Sequence, residues 1–197
     1  MSFENVKQIA KTTGKGVLGM SVAGSMAFGV LIGPWEGRKY VPYYDVGGVL
    51  TVCDGITGNN VVLGRKYTDI ECDIMAAKEV NKHEKGIDRC LKVDVPVETK
   101  ASFISFAYNV GVGATCRSTL MKKANEGNLR GACDQLSRWV FVNGKKFRGL
   151  ENRRFRGDTQ RVSERTLCLS GLDKNYETPL LEKVLVAYKN WRSSWSA

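Results

Sequence analysis

Glu36, Asp45 and Thr51 are the residues whose types and spacing best support chemistry. They lie within one short stretch, WEGRKYVPYYDVGGVLT. Cleavage of a glycosidic bond needs one carboxyl group that donates a proton to the leaving oxygen, and a second, ionised one that handles the attacking water or the developing positive charge. Glu36 follows an apolar stretch and Trp35, which would desolvate a proton donor, whereas Asp45 lies in a more polar Tyr- and Gly-rich segment. Taken alone, such a pair predicts little, because Glu and Asp at this spacing are common on protein surfaces.

The elements that must position these residues can be predicted from local patterns. Residues 40–64 alternate apolar and polar side chains between Gly and Asn, which predicts a small antiparallel sheet that carries Asp45 and Thr51. Thr68 and Glu71 form a capping-box pattern that opens the first helix after the sheet. Helical patterns are found at 68–85, 98–109, 118–126, 128–141 and 160–170. Because only one short region is sheet, we predict an α+β fold with a small β-lobe, a larger helical lobe and a cleft between them that could hold a polymer.

Several blocks of sequence between Trp35 and Leu172 resemble one known family. These blocks are EGRKYVPYYDVGGVLTVCDGITG, YTDIEC, SFAYNVGVG, STLMKKANEG, GACDQLSRW, GLENRR and ERTLC. The chain resembles the phage-type lysozymes, the T4 lysozyme family of endolysins, and especially its lambdoid branch. In that family the glutamate is the general acid, the aspartate positions or activates the hydrolytic water, and the threonine hydrogen-bonds that water. The resemblance therefore implies a lysozyme-like fold and assigns these roles to Glu36, Asp45 and Thr51, which match one for one.

The resemblance also bears on positions outside this triad. Asn109 stands where relatives place an amide that contacts the saccharide, although a helix end before Gly111 explains it equally well. Arg153 and Arg154 could support the wall of the cleft, but paired arginines more often form a solvated face. Trp139 is expected in the core.

The chain departs from the family pattern at two places. Many relatives carry a histidine where this chain has Ile56, so no role of that histidine can be transferred. An apparent insertion at 155–162 separates the two arginines from the helix that contains Glu164. The alignment of the last helices is therefore open.

Composition limits the classes of partner. The chain has 197 residues, enough for one domain and an appendage, and a net charge of +10, which favours anionic partners such as nucleic acid, acidic lipid or an acidic cell-wall polymer. Nucleic acid is not expected, because no finger spacing, aromatic RNA-binding strand or recognition-helix pattern accompanies the charge. We expect peptidoglycan as the substrate, no cofactor and a monomer.

The cysteines and the single histidine argue against a metal site. No two of the six cysteines have the C-x-x-C spacing of a zinc site. His83 is the only histidine, and we expect it on the surface of its helix. A thiol nucleophile at Cys53 is not supported, since no base is evident beside it. An even cysteine count in an oxidising compartment favours disulfides, and six thiols allow fifteen pairings.

Residues 16–35 are twenty consecutive uncharged positions preceded by Lys7, Lys11 and Lys15. This length can span a bilayer, and the positive flank predicts a cytoplasmic amino terminus with the rest of the chain in the periplasm. Five glycines lower the hydrophobicity of this segment, so its insertion into a membrane should be only marginally favourable. Three interpretations are open: a releasable anchor, a permanent anchor, and a cleaved signal or buried soluble helix. Some lambdoid endolysins carry a signal-arrest-release segment that holds the enzyme inactive at the membrane until it is released, typically when the membrane potential collapses. The resemblance favours that option, with the inner membrane as the first location and the periplasm as the second.

The expected organisation has three parts: a weak span at 1–34, a catalytic domain at 35–172 and a tail at 173–197. The tail contains an amphipathic stretch, 179–191, which could contact membrane or wall through Trp191 and Trp195, or pack on the domain as a terminal helix.

The sequence therefore predicts an endolysin that hydrolyses the β-1,4 bond between N-acetylmuramic acid and N-acetylglucosamine in peptidoglycan. Two alternatives remain open. A lytic transglycosylase needs one glutamate and forms an anhydro product, and Asp45 and Thr51 argue against it. A membrane-tethered wall-binding protein without catalysis would follow if the three residues failed to assemble.

Overall fold

The structure is a computed structural model that describes residues 19–45, 47–59 and 61–173, with Lys183 and Val186. Its elements in chain order are α1 (Val22–Met26), a π-helical segment (Ala27–Ile32), α2 (Gly33–Glu36), β1 (Lys39–Tyr44), β2 (Leu50–Cys53), β3 (Ile56–Thr57), α3 (Asp69–Asp88), α4 (Val97–Val110), α5 (Val112–Arg117), α6 (Thr119–Asn125), α7 (Leu129–Gln135), a 3-10 turn (Leu136–Arg138), β4 (Phe141–Val142), β5 (Lys145–Lys146), α8 (Arg148–Glu151), a second π-helical segment (Asn152–Arg156) and α9 (Glu164–Ser170). The α+β architecture predicted from the sequence is confirmed.

The apolar residues before Glu36 form a helix that is buried in the helical lobe. Ser21 begins it, because its hydroxyl accepts a hydrogen bond from the Gly24 amide at 2.9 Å. Pro34 has no N–H to donate to the preceding turn, and the residues ahead of it are π-helical. The side chains of Phe28, Leu31 and Ile32 are fully buried, and each such burial stabilises the fold by about 2 kcal/mol.

This N-terminal helix lies close to α3 because Gly24 has no side chain. A Cβ at this position would lie 3.2 Å from Val80 Cγ1 and 3.3 Å from a carboxylate oxygen of Glu84. The Ser21 hydroxyl bonds the same carboxylate at 2.7 and 2.8 Å, and Lys100 pairs with it at 3.1 Å. The contact therefore combines close apolar packing with a bonded, largely buried carboxylate.

The helical lobe is built around α4. Residues 101–107 of this helix are all buried, and α1, α3 and α9 pack against it. The second cluster of apolar side chains lies under the sheet and includes Val52, Ile56 and Tyr67. Tyr108 packs against both clusters and so links the two lobes.

The sheet has strand order β1-β2-β3 with antiparallel neighbours. Thr51 stands opposite Tyr43 on one side and Thr57 on the other. The capping box that opens α3 is also present: the Thr68 hydroxyl accepts from the Glu71 amide, and the Glu71 carboxylate accepts from the Thr68 amide. The antiparallel sheet with Thr51 and the capping box are confirmed, whereas Asp45 lies one residue beyond β1 and not on a strand.

All six cysteines form disulfides, as the even count predicted. The pairs are Cys53–Cys72, Cys90–Cys116 and Cys133–Cys168. The first joins β2 to α3, the second joins the end of α3 to α5, and the third joins α7 to α9. Cys53 is therefore excluded as a free thiol nucleophile.

Three predictions about the helical lobe need correction. The helix predicted at 128–141 ends at Gln135, and a two-stranded hairpin, β4 and β5, follows it. The pattern at 160–170 starts as a helix only at Glu164, where the hydroxyl of Ser163 caps it. His83 is not a surface residue: its side chain is 12% exposed and its ring lies 5.2 Å from that of Tyr108.

The predicted membrane segment and tail are only partly described. Residues 16–18 lie outside the described part of the chain, as does the 179–191 stretch apart from Lys183 and Val186, together with Trp191 and Trp195. Within the part that the structure covers, no helix is long and apolar enough to cross a membrane. Lys183 donates to the carbonyl of Asp158 at 3.3 Å, and Val186 is exposed.

The contact between Ser21 and Glu84 predicts a stability difference between two serine variants. Ser21→Ala removes both a helix cap and a hydrogen bond to a largely buried carboxylate, so we expect the free energy of unfolding to fall by about 1–2 kcal/mol in urea titrations. The matched control is Ser25→Ala. Its hydroxyl is buried and finds no partner among the described residues, so its removal should have little effect. Equal losses in the two variants would contradict this account of the contact.

Candidate active site

Glu36 is the last residue of α2, where the buried N-terminal helix meets the sheet. Gly37 ends the helix with φ +69°, a conformation that favours glycine. The Glu36 side chain is 21% exposed, so it is sheltered but open to solvent on one side. A Cβ on Gly55, in the turn between β2 and β3, would lie 3.1 Å from Glu36 Oε2, and Gly55 also has φ +80°. Glycine is therefore required there both by the turn and by the approach of Glu36.

Arg153 forms an ion pair with Glu36. Its Nη1 lies 2.5 Å from Glu36 Oε1, and its side chain is only 6% exposed. Burial lowers the pKa of Arg153, but the charges of Glu164 and Glu36 outweigh burial and raise the pKa above its ordinary value. The guanidinium is therefore a permanent positive charge beside the Glu36 carboxyl.

Glu164 holds Arg153 and Arg154 together from the start of α9. Its Oε1 accepts from Arg153 Nε at 3.2 Å, and its Oε2 accepts from Arg154 Nη1 at 2.5 Å. The hydroxyl of Ser105, on α4, donates to the same Oε1 at 2.8 Å. Arg154 donates through Nη2 to Asn109 Oδ1, so the network reaches the end of α4.

Asp45 follows β1 and organises the turn into β2. Its Oδ1 accepts from the amides of Gly47 at 2.8 Å and Val49 at 2.9 Å. Its Oδ2 receives no hydrogen bond from the described residues. One oxygen of Asp45 is therefore used by the turn, and the other can interact with a ligand.

Thr51 lies on β2 and is 3% exposed. Its hydroxyl donates to the carbonyl of Val49 at 2.9 Å. Because a hydroxyl has one proton and two lone pairs, Thr51 can still accept a hydrogen bond. Thr51 and Asp45 both bond Val49, so the turn brings these two predicted site residues together.

Arg38 ties the start of β1 to α3 and to the turn beside Glu36. Its Nη2 lies 2.8 Å from Asp54 Oδ2 and 2.5 Å from Asp73 Oδ1, and its Nη1 lies 2.9 Å from Asp69 Oδ1. Burial raises the pKa of Asp54 and of Asp73, and the interaction with Arg38 opposes this rise in both. Arg38 thus holds two buried acidic side chains next to the turn that contacts Glu36.

Tyr108 connects this turn to the helical lobe. Its hydroxyl donates to the carbonyl of Asp54 at 2.9 Å. Burial first, and then the charge of Glu36, raises the pKa of Tyr108 well above 10. The phenol therefore stays protonated and remains a hydrogen-bond donor.

Residues 155–162, which the sequence predicts to be an insertion, fold back onto Trp35, next to Glu36. Trp35 Nε1 donates to the carbonyl of Val162 at 2.9 Å, and the guanidinium of Arg161 lies 4.1 Å from the centre of the Trp35 ring system. A cavity of about 400 Å³ opens beside these residues. It is lined by Trp35, Val142, Phe147, Gly149, Leu150, Asn152, Arg153 and Arg161.

The structure corrects one prediction about this region and adds residues that the sequence did not reveal. Arg153 and Arg154 do not form a solvated face, since they are 5% and 0% exposed and are paired with acidic residues. Glu164 was not predicted as a site residue. The only sequence signal for Glu164 is its place among apolar helical positions after the two arginines. A glutamate in such a pattern is usually on the surface, so its burial could not be predicted.

Comparison with known proteins identifies several relatives. The family model described as phage lysozyme matches residues 33–156. The SAR-endolysin of Enterobacteria phage PA-2 is 43% identical over 136 residues, which make up 69% of this chain and 78% of that protein. The SAR-endolysin of Bacteriophage PS119 is 44% identical over the same length, with 69% and 77% covered.

Solved structures share the fold. The active form of P1 phage endolysin Lyz matches with a TM-score of 0.66 and 27% identity, covering 88% of this chain and 96% of that one. P22 lysozyme matches with a TM-score of 0.60 and 22% identity over 75% of this chain and 94% of its own, which shows the fold alone. The lysozyme-like fold expected from the sequence is confirmed.

The Arg38 cluster predicts a pH-dependent loss of stability. Arg38→Met leaves Asp54 and Asp73 buried without their cation, which should lower the free energy of unfolding by about 3 kcal/mol at pH 7. Burial already raises the pKa of both carboxyls in the folded protein, and losing Arg38 raises them further, so the folded state of the variant binds protons more readily than the unfolded state. The deficit should therefore shrink as the pH falls from 7 towards 4.

Denaturant unfolding at several pH values measures this effect. Arg65→Met, which breaks an exposed pair with Glu71, is the control and should change stability little at any pH. A constant deficit across pH in the Arg38 variant would contradict the assignment of the cost to buried carboxylates.

Proposed function

The chain belongs to the phage lysozyme family, and we propose that it is an endolysin that hydrolyses the β-1,4 bond between N-acetylmuramic acid and N-acetylglucosamine, with Glu36 as the proton donor. Lysozymes of this family act on peptidoglycan. The observation that carries the proposal is the position of Glu36. Its carboxyl lies against the Gly55 turn of the sheet that carries Asp45 and Thr51, and it is ion-paired to a buried arginine.

Glu36 donates its proton to the glycosidic oxygen as the bond breaks. Proton donation converts a neutral carboxyl into a carboxylate, and Arg153 Nη1 already lies 2.5 Å from Glu36 Oε1. The guanidinium therefore stabilises charge that appears on Glu36 in the transition state. Because Arg153 is held by Glu164, this positive charge needs no rearrangement during the reaction.

Asp45 and Thr51 orient the attacking water in this proposal. Oδ2 of Asp45, which receives no hydrogen bond from the described residues, accepts a hydrogen bond from one O–H of the water. The Thr51 hydroxyl, which donates to Val49, accepts a hydrogen bond from the other O–H. The water oxygen then faces the anomeric carbon with a lone pair. Inversion follows if a water fits between the acid and the base, which needs a carboxyl separation of roughly 6.5–9.5 Å.

The substrate side of the proposal rests on charge and on Asn109. The net charge of +10 favours a wall polymer that carries carboxylates. Asn109 is exposed at the end of α4, and Arg154 bonds its oxygen, which turns the amide nitrogen into the group available to a saccharide. No cofactor takes part, and the enzyme acts as a monomer.

We further propose that residues 16–35 first hold the chain at the inner membrane and that release into the periplasm precedes activity. Supporting this, relatives at 43–44% identity carry the name SAR-endolysin. Most of the described part of this segment is buried in the helical lobe, and Glu36 follows directly after it. Release and docking would therefore complete the active site.

Mass spectrometry of fragments released from purified peptidoglycan tests the chemistry. The wild type should release muropeptides with reducing ends. Asp45→Ala and Glu36→Gln should each lower the rate by at least about 100-fold, because each removes a group that transfers or directs a proton. Thr51→Val is the matched variant for the hydroxyl and should lower the rate less than Asp45→Ala.

Other products would point to the competing functions. Anhydro-muropeptides from the wild type would mean transglycosylase chemistry. Release at the wild-type rate by Glu36→Gln would refute the assigned acid, and no release by the wild type would favour a wall-binding role.

Cell fractionation tests the membrane proposal. The full chain carrying Glu36→Gln keeps cells intact, and we expect it in the inner membrane first and in the periplasmic fraction after the membrane potential is collapsed by an uncoupler. A soluble cytoplasmic protein before and after uncoupler treatment would contradict the proposal, as would a protein that never leaves the membrane.

A further inference from the structure

Glu164 is a carboxylate with no exposed surface, and both of its oxygens accept hydrogen bonds. Its side chain is 0% exposed, and it accepts hydrogen bonds from Ser105, Arg153 and Arg154. Burying a carboxylate costs several kcal/mol unless it is paired and hydrogen-bonded. Apolar residues of similar size could fill the space of Glu164 and its two arginines without that cost. The presence of this acid therefore calls for a functional explanation.

Each of the two arginines bound by Glu164 also binds a different candidate site residue. Arg153 extends from Glu164 to Glu36, and Arg154 extends from Glu164 to Asn109. Glu36 ends the buried N-terminal helix, whereas Asn109 lies at the end of α4. Glu164 is therefore the common partner between two residues that come from different parts of the chain.

We infer that Glu164 is a positioning residue for the proposed reaction: through Arg153 and Arg154 it fixes the orientation of Glu36 and Asn109, and its negative charge limits how strongly Arg153 retains Glu36 as a carboxylate. This inference rests on the proposed function. Glu164 does not touch the substrate and acts only through the two arginines.

The orientation follows from the geometry of the guanidinium groups. Glu164 bonds Arg153 at Nε, which leaves Nη1 directed at Glu36, and it bonds Arg154 at Nη1, which leaves Nη2 for Asn109. A guanidinium is planar, so fixing one nitrogen restricts the direction of the others. Arg154 is held on two further sides by the carbonyl of Trp139 and by the ring of Phe106, whose centre lies 5.0 Å away.

The charge effect follows from the groups that face Glu36. Among the described residues these are Arg153 and Arg154 from the second π-helical segment, Asp54 from the β2–β3 turn and Tyr108 from α4. Glu164, from α9, lies behind the two arginines and pairs with both. Both arginines remain charged at any pH of interest. Removing the negative charge of Glu164 leaves their positive charge less balanced, so the Glu36 proton is lost more easily. The limb of the pH profile that reports the proton donor then moves to lower pH.

The loop before α9 explains how Glu164 reaches two arginines that lie ten and eleven positions earlier in the chain. Residues 157–163 separate the second π-helical segment from α9, and this loop is closed onto Trp35 by the hydrogen bond to the Val162 carbonyl. Ser163 then caps α9 so that the helix begins at Glu164. The loop therefore returns Glu164 to the arginines that precede it in the chain.

Rates of muropeptide release as a function of pH, measured with the intact chain, test the inference. Glu164→Gln keeps the shape and removes the charge. We expect kcat/KM to fall by at least about tenfold, as is typical when a charged hydrogen-bond partner is lost, and the alkaline limb of the profile to move to lower pH. Glu164→Asp keeps the charge on a shorter side chain, so it should restore the position of the alkaline limb while kcat stays reduced.

Two further variants separate positioning from folding. Ser105→Ala removes only the hydroxyl that bonds Glu164 and should lower kcat about fivefold or less, with the limb unmoved. Asp134→Asn makes the same charge change in an exposed pair with Arg165 and should leave the rate and the profile unchanged. If Glu164→Gln does not fold, the Asp and Ser105 variants carry the test.

A folded Glu164→Gln protein with the rate and pH profile of the wild type would overturn the inference, as would wild-type kinetics in both Glu164→Asp and Ser105→Ala. Failure of the proposed function looks different. In that case the wild type releases no reducing ends, or Glu36→Gln is fully active in the same assay.

Discussion

The position of Glu36 depends on the burial of the apolar helix that precedes it. Hydrophobic side chains such as Phe28 and Leu31 fix that helix against α4, and Gly24 and Ser21 fix it against α3. Glu36 follows within one turn of the last buried residue, so the carboxyl has no independent means of reaching the sheet. The hydrophobic packing of the N-terminal helix therefore determines where the Glu36 carboxyl lies.

Two charged clusters of opposite sign meet at this group. On the helical side, two arginines, Arg153 and Arg154, surround one acid, Glu164, so this cluster is net positive. On the sheet side, two acids, Asp54 and Asp73, surround Arg38, so this cluster is net negative. Glu36 lies between them, ion-paired with the first and coupled electrostatically to the second. A proton donor must be able both to hold a proton and to lose it, and a site that combines cationic and anionic neighbours can support both states.

Features encoded by neighbouring residues could be predicted from the sequence. The capping box at Thr68 depends only on Thr68 and Glu71, and the strands on either side of the turn that contains Asp45 follow from a local alternation with turn residues. The hairpin of β4 and β5 was also within reach, because Asn143 and Gly144 both adopt positive φ and Asn-Gly is a strong turn signal. The helical pattern predicted at 128–141 instead runs past the true helix end at Gln135 and up to Phe141, where β4 begins. The roles proposed for the site residues came from the family resemblance, and they remain predictions.

Long-range pairing could not be predicted. Arg153 and Glu36 are 117 positions apart, and whether an arginine is solvated or buried depends on partners that only the folded chain brings close. The same reasoning applies to the disulfides, whose pairing among fifteen alternatives follows from the packing of α3, α5, α7 and α9 and not from cysteine spacing.

The distribution of the cross-links has a consequence for how the N-terminal helix is held in place. All three disulfides lie between Cys53 and Cys168, and the chain before Cys53 contains no cysteine. No disulfide therefore ties the N-terminal helix to the rest of the described chain, and noncovalent packing and hydrogen bonds hold this helix in place. The three cross-links therefore do not by themselves fix the position of Glu36, which depends on the packing of the helix that precedes it.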